Sequence, residues 1–282
     1  MITKNSLIEN FKNLNIQKGD TVFIRGNLGK IGRLKERNIF LESLLELIGD
    51  NGTIITLGFT KSFPFYKLDK NFVFNKSTES TTGALSKLFM SNYDCKRSEH
   101  PTNSFLAIGH NAEYILENHN ENSLSYDPMK RVIELNAKMI IFGIVDESPG
   151  FTTVHFAQQE LGLTKKSFMS RLFRVYYNKG GEKKLFIRKD IGGCSLGFDK
   201  FYKHYINQNI FKIGQIGNSQ AISTEAQKAY EIEYSLIHQN NSFHFCDDPL
   251  CISCRASWKY DLKYLPNYII LKILTKIKRF FI

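Results

Sequence analysis

Three short runs of apolar, largely β-branched residues, separated by segments of helical periodicity, constrain the fold of this chain most strongly. They occupy residues 21–24, 53–57 and 138–143. Strands that are apolar at nearly every position are typical of a sheet covered on both faces, and the helices between them are typical of parallel crossover connections. The sequence therefore predicts the α/β class: a three-layer α/β/α sandwich around a central, largely parallel or mixed sheet.

Weaker patterns predict the rest of the domain. Helical spacing favours helices over residues 6–13, 39–48, 83–90, 111–119 and 151–161, with Thr152 or Thr153 capping the last, and a further strand over 104–109. Residues 173–188 predict a hairpin that turns at 178–181, and residues 59–82 predict a long ordered loop. Because no repeat or Pro- and Ser-rich linker divides the 282 residues, one domain is expected over 1–257, followed by a tail over 258–282.

Composition limits the location and the partners of the protein. Five cysteines, an odd number, argue against a disulfide framework, and the first residues lack the apolar stretch of a secretory signal. No apolar run reaches the roughly 18 residues of a membrane span, so a cytoplasmic protein is expected. Lys and Arg number 38 against 27 Asp and Glu, and the resulting net charge of +11 favours neutral or anionic ligands over polycationic ones.

Four segments, taken in order, resemble one known family. They are residues 19–24 leading into a glycine-bearing loop, residues 52–55, residues 97–104 with Gly109 behind them, and Gly143 followed by residues 152–157. The Arg-Ser-x-His-Pro and Thr-x-x-His-x-Ala segments are the most specific of these. Together they look like the aminoglycoside 3-N-acetyltransferase family, over about residues 5–165 and more loosely over residues 166–245.

The resemblance implies a three-layer α/β/α fold, transfer of an acetyl group from acetyl-CoA to a sugar amine, and His155 as the catalytic base. It also implies that a loop lies along the CoA arm; its residues are Arg25, Gly26, Asn27, Leu28, Gly29, Lys30, Ile31 and Gly32. The chemistry agrees, because a histidine that titrates near neutrality can accept the proton of an attacking amine. The alternative for His155 is a hydrogen-bonded core residue at the start of a helix.

Five further residues are candidates for the site, each with a structural alternative. Arg97 and Ser98 are expected to bind CoA, unless Arg97 is a surface ion-pair partner. His100 is expected to contact the substrate, or else to anchor a turn at the proline that follows it. Asp190 could orient the catalytic imidazole or be a turn residue, and Glu79 could contact the substrate or cap a helix.

One departure from the family pattern bears on the acceptor. The family's motif histidine runs on as His-x-Ala-Glu, whereas this chain has Gln158 at the last position, where it is expected to contact the substrate. A neutral amide does not attract an ammonium-rich antibiotic as a carboxylate would. The predicted acceptor is therefore a nucleotide-linked amino-deoxy sugar, such as a dTDP-3-amino-3,6-dideoxyhexose, used in bacterial surface polysaccharide and lipopolysaccharide biosynthesis. The first alternative is an aminoglycoside-resistance enzyme.

A second alternative is a non-catalytic basic protein that binds a membrane surface or a nucleic acid. No zinc-finger spacing or RNA-recognition motif is present, so nucleic acid is not an expected partner. The tail over residues 266–282 predicts a basic amphipathic helix that lies on an anionic membrane, or that packs on the domain or on a second copy in a homodimer. Its apolar positions are Ile270, Ile273, Leu274, Ile277 and Phe281, and its basic positions are Lys272, Lys276, Lys278 and Arg279.

A cysteine group near the C-terminus has a spacing that a zinc ion or an iron–sulfur cluster could use. It contains Cys246, Cys251 and Cys254, and the fourth ligand would be His244, His238 or Cys194. The alternative is a set of ordinary cytosolic thiols. No metal is assigned to the predicted site, because the acyl transfer requires none.

Overall fold

The computed structural model describes residues 1–164, 170–190, 193–249, 251, 253–254 and 269–274. Its strands are β1 (Thr21–Gly26), β2 (Thr53–Leu57), β3 (Phe63–Pro64), β4 (Val73–Phe74), β5 (Lys96–Arg97), β6 (Phe105–Gly109), β7 (Lys138–Phe142), β8 (Phe173–Lys179), β9 (Glu182–Ile187), β10 (Lys212–Ile216) and β11 (Ser219–Glu225). Its helices are α1 (Lys4–Asn13), α2 (Ile39–Ile48), α3 (Ala84–Met90), α4 (Ala112–Leu116), α5 (Met129–Glu134), α6 (Thr153–Glu160), α7 (Tyr202–Asn207) and α8 (Ala226–Gln239).

The central sheet confirms the predicted class. Its strand order is β10-β11-β7-β1-β2-β6-β5. Strand β1 is parallel to both β7 and β2, whereas the outer strands pair antiparallel. In β7, Met139 and Ile141 belong to the core on one face while Ile140 and Phe142 belong to the core on the other. Because successive side chains of a strand point to opposite faces, an entirely apolar strand requires a helical layer on each side.

The helices supply those two layers. One core contains Phe11 of α1 and Phe40 of α2, whose rings meet edge to face with centroids 5.7 Å apart. The other core contains Met129 of α5 and Val154 of α6, together with buried residues of α4 and α8. In this second core, the helix that carries His155 packs against α8 and α5.

A second, smaller sheet forms beside the main one. The predicted hairpin is β8 and β9, and its turn uses Gly180 and Gly181 at φ values of +61° and +87°. Strands β3 and β4 pair with β8, so much of the segment 59–82 is built into this sheet rather than forming only a loop. Each of these strands has two residues, which is too short for a periodic signal.

The C-terminal third contains elements that the sequence patterns did not indicate, namely the β10–β11 hairpin, α7 and α8. In the predicted tail, residues 269–274 are helical, and their apolar side chains are about half exposed. Residues 258–268 and 275–282 of that tail lie outside the described residues. No helix in the described part of the chain combines the length and the apolar character that crossing a membrane requires.

Candidate active site

A cleft of about 340 Å³ opens at the carboxyl ends of β1 and β2. Arg25 and Gly26 line it from the end of β1, and Thr56 and Leu57 line it from the end of β2. His155, in the first turn of α6, also lines it. Ligands of open α/β sheets bind outside the carboxyl ends of the strands, and the volume is typical of a small-molecule site.

Among the residues that the structure describes, three side chains contact the His155 imidazole and help to fix its position. Nδ1 of His155 lies 2.9 Å from Oε1 of Gln158, which is three residues further along α6 and so on the same helix face. The ring of Tyr126 stacks on the imidazole at a centroid distance of 4.8 Å, and the ring of Phe198 meets it edge-on at 5.0 Å. Because an amide oxygen can only accept, Nδ1 carries the proton and Nε2 is the basic nitrogen.

Burial determines the charge of this imidazole. It lowers the pKa of His155 to about 4; the hydrogen bond that Nδ1 donates to Gln158 opposes this shift, and the positive charge of Arg25 adds to it. The sequence-based expectation of titration near neutrality is therefore wrong, because it left out the cost of burying the charged form. At physiological pH the ring is neutral, which is the form that can accept a proton.

Arg25 ties the cleft to the turn that leads into α6. Its guanidinium donates to the backbone oxygen of Ser148 at 3.1 Å and to the Ser148 hydroxyl at 2.9 Å, and it lies 3.4 Å from the Thr152 hydroxyl. Burial lowers the pKa of Arg25, but a guanidinium remains charged. No carboxylate is found among the described residues that line the cleft. The cleft thus has a fixed positive charge that these residues do not neutralise.

The sequence of this chain matches a known protein family over most of its length. The family model described as aminoglycoside 3-N-acetyltransferase matches residues 24–237. The chain belongs to this family.

Two curated relatives agree with that assignment. The SPbeta prophage-derived aminoglycoside N(3')-acetyltransferase-like protein YokD of Bacillus subtilis (strain 168) is 28% identical over 136 residues, which cover 42% of this chain and 50% of YokD. Aminoglycoside N(3)-acetyltransferase III of Salmonella sp is 24% identical over 187 residues, which cover 60% of this chain and 65% of the relative. The matches thus span between half and two thirds of the relatives' lengths.

Solved structures share the fold. The aminoglycoside acetyltransferase AAC(3)-IVa, as an apoenzyme, aligns with a TM-score of 0.73 at 19% identity and covers 90% of this chain and 95% of its own. The binary complex of AAC-IIIb with CoASH aligns with a TM-score of 0.69 at 15% identity and covers 84% of this chain and 97% of its own.

Within this family fold, the predicted CoA loop contributes two residues to the cleft, Arg25 and Gly26. Others in the loop have structural contacts: the side-chain oxygen of Asn27 accepts from the backbone N–H of Gly29 at 2.9 Å, and Lys30 forms an ion pair with Glu147. Leu28 and Ile31 are buried in the core, and Gly32 has a φ of +99°. The loop therefore reaches the cleft only at its first two positions.

Arg97, Ser98 and His100 lie away from the lining of the cleft. The Arg97 guanidinium is buried and donates to the Gly58 backbone oxygen at 2.6 Å, which excludes the alternative of a surface ion pair. The Ser98 hydroxyl accepts from the backbone N–H of Phe105 at 2.8 Å. His100 is buried, and its Nδ1 accepts from the backbone N–H of Asn103 at 2.9 Å, as expected of a turn anchor.

Neither of the two predicted carboxylates lines the cleft. Asp190 accepts from the backbone N–H and the hydroxyl of Ser125 at 2.9 and 2.8 Å, so the position that orients His155 belongs to Gln158 and not to Asp190. Glu79 is exposed and pairs with Lys87 on α3, outside the cleft lining.

The sequence patterns did not indicate the two rings that hold the imidazole. Tyr126 lies just before α5, and its backbone N–H donates to Oε1 of Gln159 at 3.1 Å, so α6 positions the ring that stacks on His155. Phe198 comes from a turn about forty residues further along the chain than α6. Neither position carries a local signal, because each acquires its role through tertiary packing.

Proposed function

We propose that this chain is an acetyl-CoA-dependent N-acetyltransferase that acts on an amine of an amino sugar, with His155 as the general base. The observation that carries the proposal is the neutral imidazole at the cleft, with Nδ1 bonded to Gln158. Family membership and the CoASH complex of the similarly folded AAC-IIIb support acetyl-CoA as the donor.

The reaction follows from these groups. The neutral amine attacks the thioester carbon, so a C–N bond forms and the C–S bond breaks. Nε2 of His155 takes the proton that the nitrogen loses, and this proton then neutralises the departing CoA thiolate. Gln158 holds the tautomer that leaves Nε2 basic. The charge of Arg25, at the end of β1, favours the anionic CoA at the mouth of the cleft.

For the acceptor, the family and both curated relatives favour an aminoglycoside. They give no support to the nucleotide-linked sugar expected from the sequence, so the aminoglycoside alternative becomes the leading proposal.

One observation keeps the nucleotide-linked amino sugar as a second candidate. The described lining of the cleft contains the cation of Arg25 and no carboxylate. Gln158, which was expected to contact the substrate, is buried outside this lining and bonds to His155. An aminoglycoside carries several ammonium groups, which such a lining repels, whereas a sugar diphosphate carries negative charge that it attracts.

An assay of CoA thiol release with purified protein tests the reaction. We expect His155→Ala to lower kcat by about 10²–10⁴-fold, the usual contribution of a general base. His110→Ala, at an exposed histidine after β6, is the matched control and should keep wild-type activity. A His155→Ala enzyme with unchanged kcat would contradict the assigned base.

The same assay separates the acceptors. Kanamycin and gentamicin represent the polycationic class, and dTDP-linked 3-amino-3,6-dideoxyhexoses represent the anionic class. A higher kcat/KM for the antibiotics supports the leading proposal, and the reverse order supports the second candidate. Absence of thiol release with every amine would overturn acetyl transfer itself.

A further inference from the structure

Four of the five cysteines converge at one point beside the cleft. Cys194 comes from the segment before the turn at 198–201, and Cys246, Cys251 and Cys254 follow α8. Their four Sγ atoms all lie within 4.8 Å of one another. The sequence pattern left the fourth member open among two histidines and Cys194, and the tertiary structure brings in Cys194.

The spacing suits a single metal ion. A tetrahedral zinc with Zn–S bonds of about 2.3 Å requires sulfur atoms about 3.8 Å apart. The Sγ atoms of Cys246 and Cys254 are 3.6 Å apart, far beyond the about 2.05 Å of a disulfide bond. A cluster of several irons and sulfides would separate the four sulfur atoms more widely than one ion does.

Backbone donors surround the sulfur atoms. The N–H of Leu196 donates to Cys194 Sγ at 3.4 Å, and the N–H of Cys246 donates to Cys254 Sγ at 3.4 Å. The N–H of Cys254 donates to Cys251 Sγ. Such donors stabilise thiolates, the form in which cysteine binds a metal, and they hold the sulfur atoms in a fixed orientation.

The geometry points to a structural zinc site in which Cys194, Cys246, Cys251 and Cys254 bind one Zn²⁺ as thiolates. Binding releases the four thiol protons to solvent and leaves no coordination position open for chemistry. The acyl transfer therefore still requires no metal, and the site does not depend on the proposed function.

The location of the four cysteines indicates which part of the fold a bound ion would stabilise. Cys194 lies between Gly193 and Ser195, which both line the cleft. At Gly197, a Cβ atom would lie 2.5 Å from the backbone oxygen of Phe245, so the two cysteine-bearing segments already run in contact. A zinc ion held by the four thiolates would join the wall of the cleft to the segment that follows α8.

Metal analysis of the full, untagged chain tests the site. We expect one zinc per chain by plasma mass spectrometry, and release of that zinc when a mercurial reagent titrates the thiols. Replacement by Co²⁺ should give thiolate-to-cobalt charge-transfer bands and the d–d bands of a tetrahedral site. Protein that lacks bound metal and shows no such bands, or that contains stoichiometric iron instead of zinc, overturns the proposal.

Serine variants assign the ligands. Cys194→Ser and Cys254→Ser should each lose most of the zinc, whereas Cys95→Ser is the matched control and should keep it, since Cys95 lies outside the group. If the ligand variants fail to fold, the cobalt spectrum of the wild-type chain still decides. Equal zinc content in Cys194→Ser and Cys95→Ser would remove Cys194 from the site.

Discussion

The amide of Gln158 keeps the proton on Nδ1 of His155, and Gln158→Glu tests how strongly a charge at this neighbour changes the pKa of the ring. Oε1 of Gln158 is 2.9 Å from Nδ1 of His155, and burial lowers the pKa of His155 to about 4. Unit charges about 4 Å apart attract by about 4 kcal/mol at an effective dielectric constant of about 20, and about 1.4 kcal/mol corresponds to one pKa unit. Because desolvation of the new carboxylate and the charge of Arg25 oppose this attraction, we expect the His155 pKa to rise by about two units.

Two measurements check this shift. The first is an NMR titration of the His155 ring nitrogens, which needs no substrate. The second is the pH dependence of kcat/KM in the acetyl-transfer assay. Only the neutral ring accepts a proton, so activity falls as pH drops through the pKa of the ring. Gln158→Glu should therefore show an acid limb near about pH 6 that the wild type lacks.

Gln158→Met is the control, since it preserves the approximate length of the side chain but removes the acceptor for Nδ1. Without this hydrogen bond the proton is no longer fixed on Nδ1, which should lower kcat at least about tenfold without creating the acid limb. An unchanged His155 pKa in Gln158→Glu would refute the reasoning, because the carboxylate would then not sense the imidazole.

Three further predictions follow from the described contacts. Arg25→Met should raise the KM for acetyl-CoA about tenfold, measured in the thiol-release assay, because it removes the cation of the cleft. Burial raises the pKa of Glu233 from 4.5 to about 8, so on raising the pH this carboxyl ionises in the unfolded chain before it ionises in the folded one. The free energy of unfolding therefore falls as pH rises from 4.5 toward 8. Glu233→Gln should remove this loss of up to about 5 kcal/mol, seen in denaturant unfolding at several pH values. Gly150→Ala should destabilise the fold by about 1–3 kcal/mol in the same measurement, because Gly150 has a φ of +76° and its Cβ would lie 2.1 Å from that of Phe198.

The central strands and the helices beside them were predictable, because their signals are local. The apolar run at 138–143 has no polar face, and only a strand covered on both sides tolerates this. The strands β3 and β4 were not predictable, because two residues are too few to show the alternation of a strand. Their pairing with β8 also joins residues that are far apart in the sequence. The β10–β11 hairpin adds two strands that likewise depend on pairing with β7.

The candidate site was likewise predictable only in part. The spacing of His155 and Gln158 on one helix follows from the sequence, since residues three apart share a helix face. Arg97, Ser98 and His100 were expected at the site, but they are buried outside the lining of the cleft, where Arg97 and His100 bond to backbone groups. Tertiary packing therefore decides which residues of a motif line the cleft, and the spacing of the motif does not.

By itself, the amino-acid sequence determined the layered α/β class, the family and the histidine with its neighbouring amide, because each depends on short-range order along the chain. Tertiary structure alone decided that Tyr126 and Phe198 enclose the imidazole, and that Cys194 joins the cysteines that follow α8. It also decided the low pKa of His155, because the cost of burying a charge depends on what packs around it.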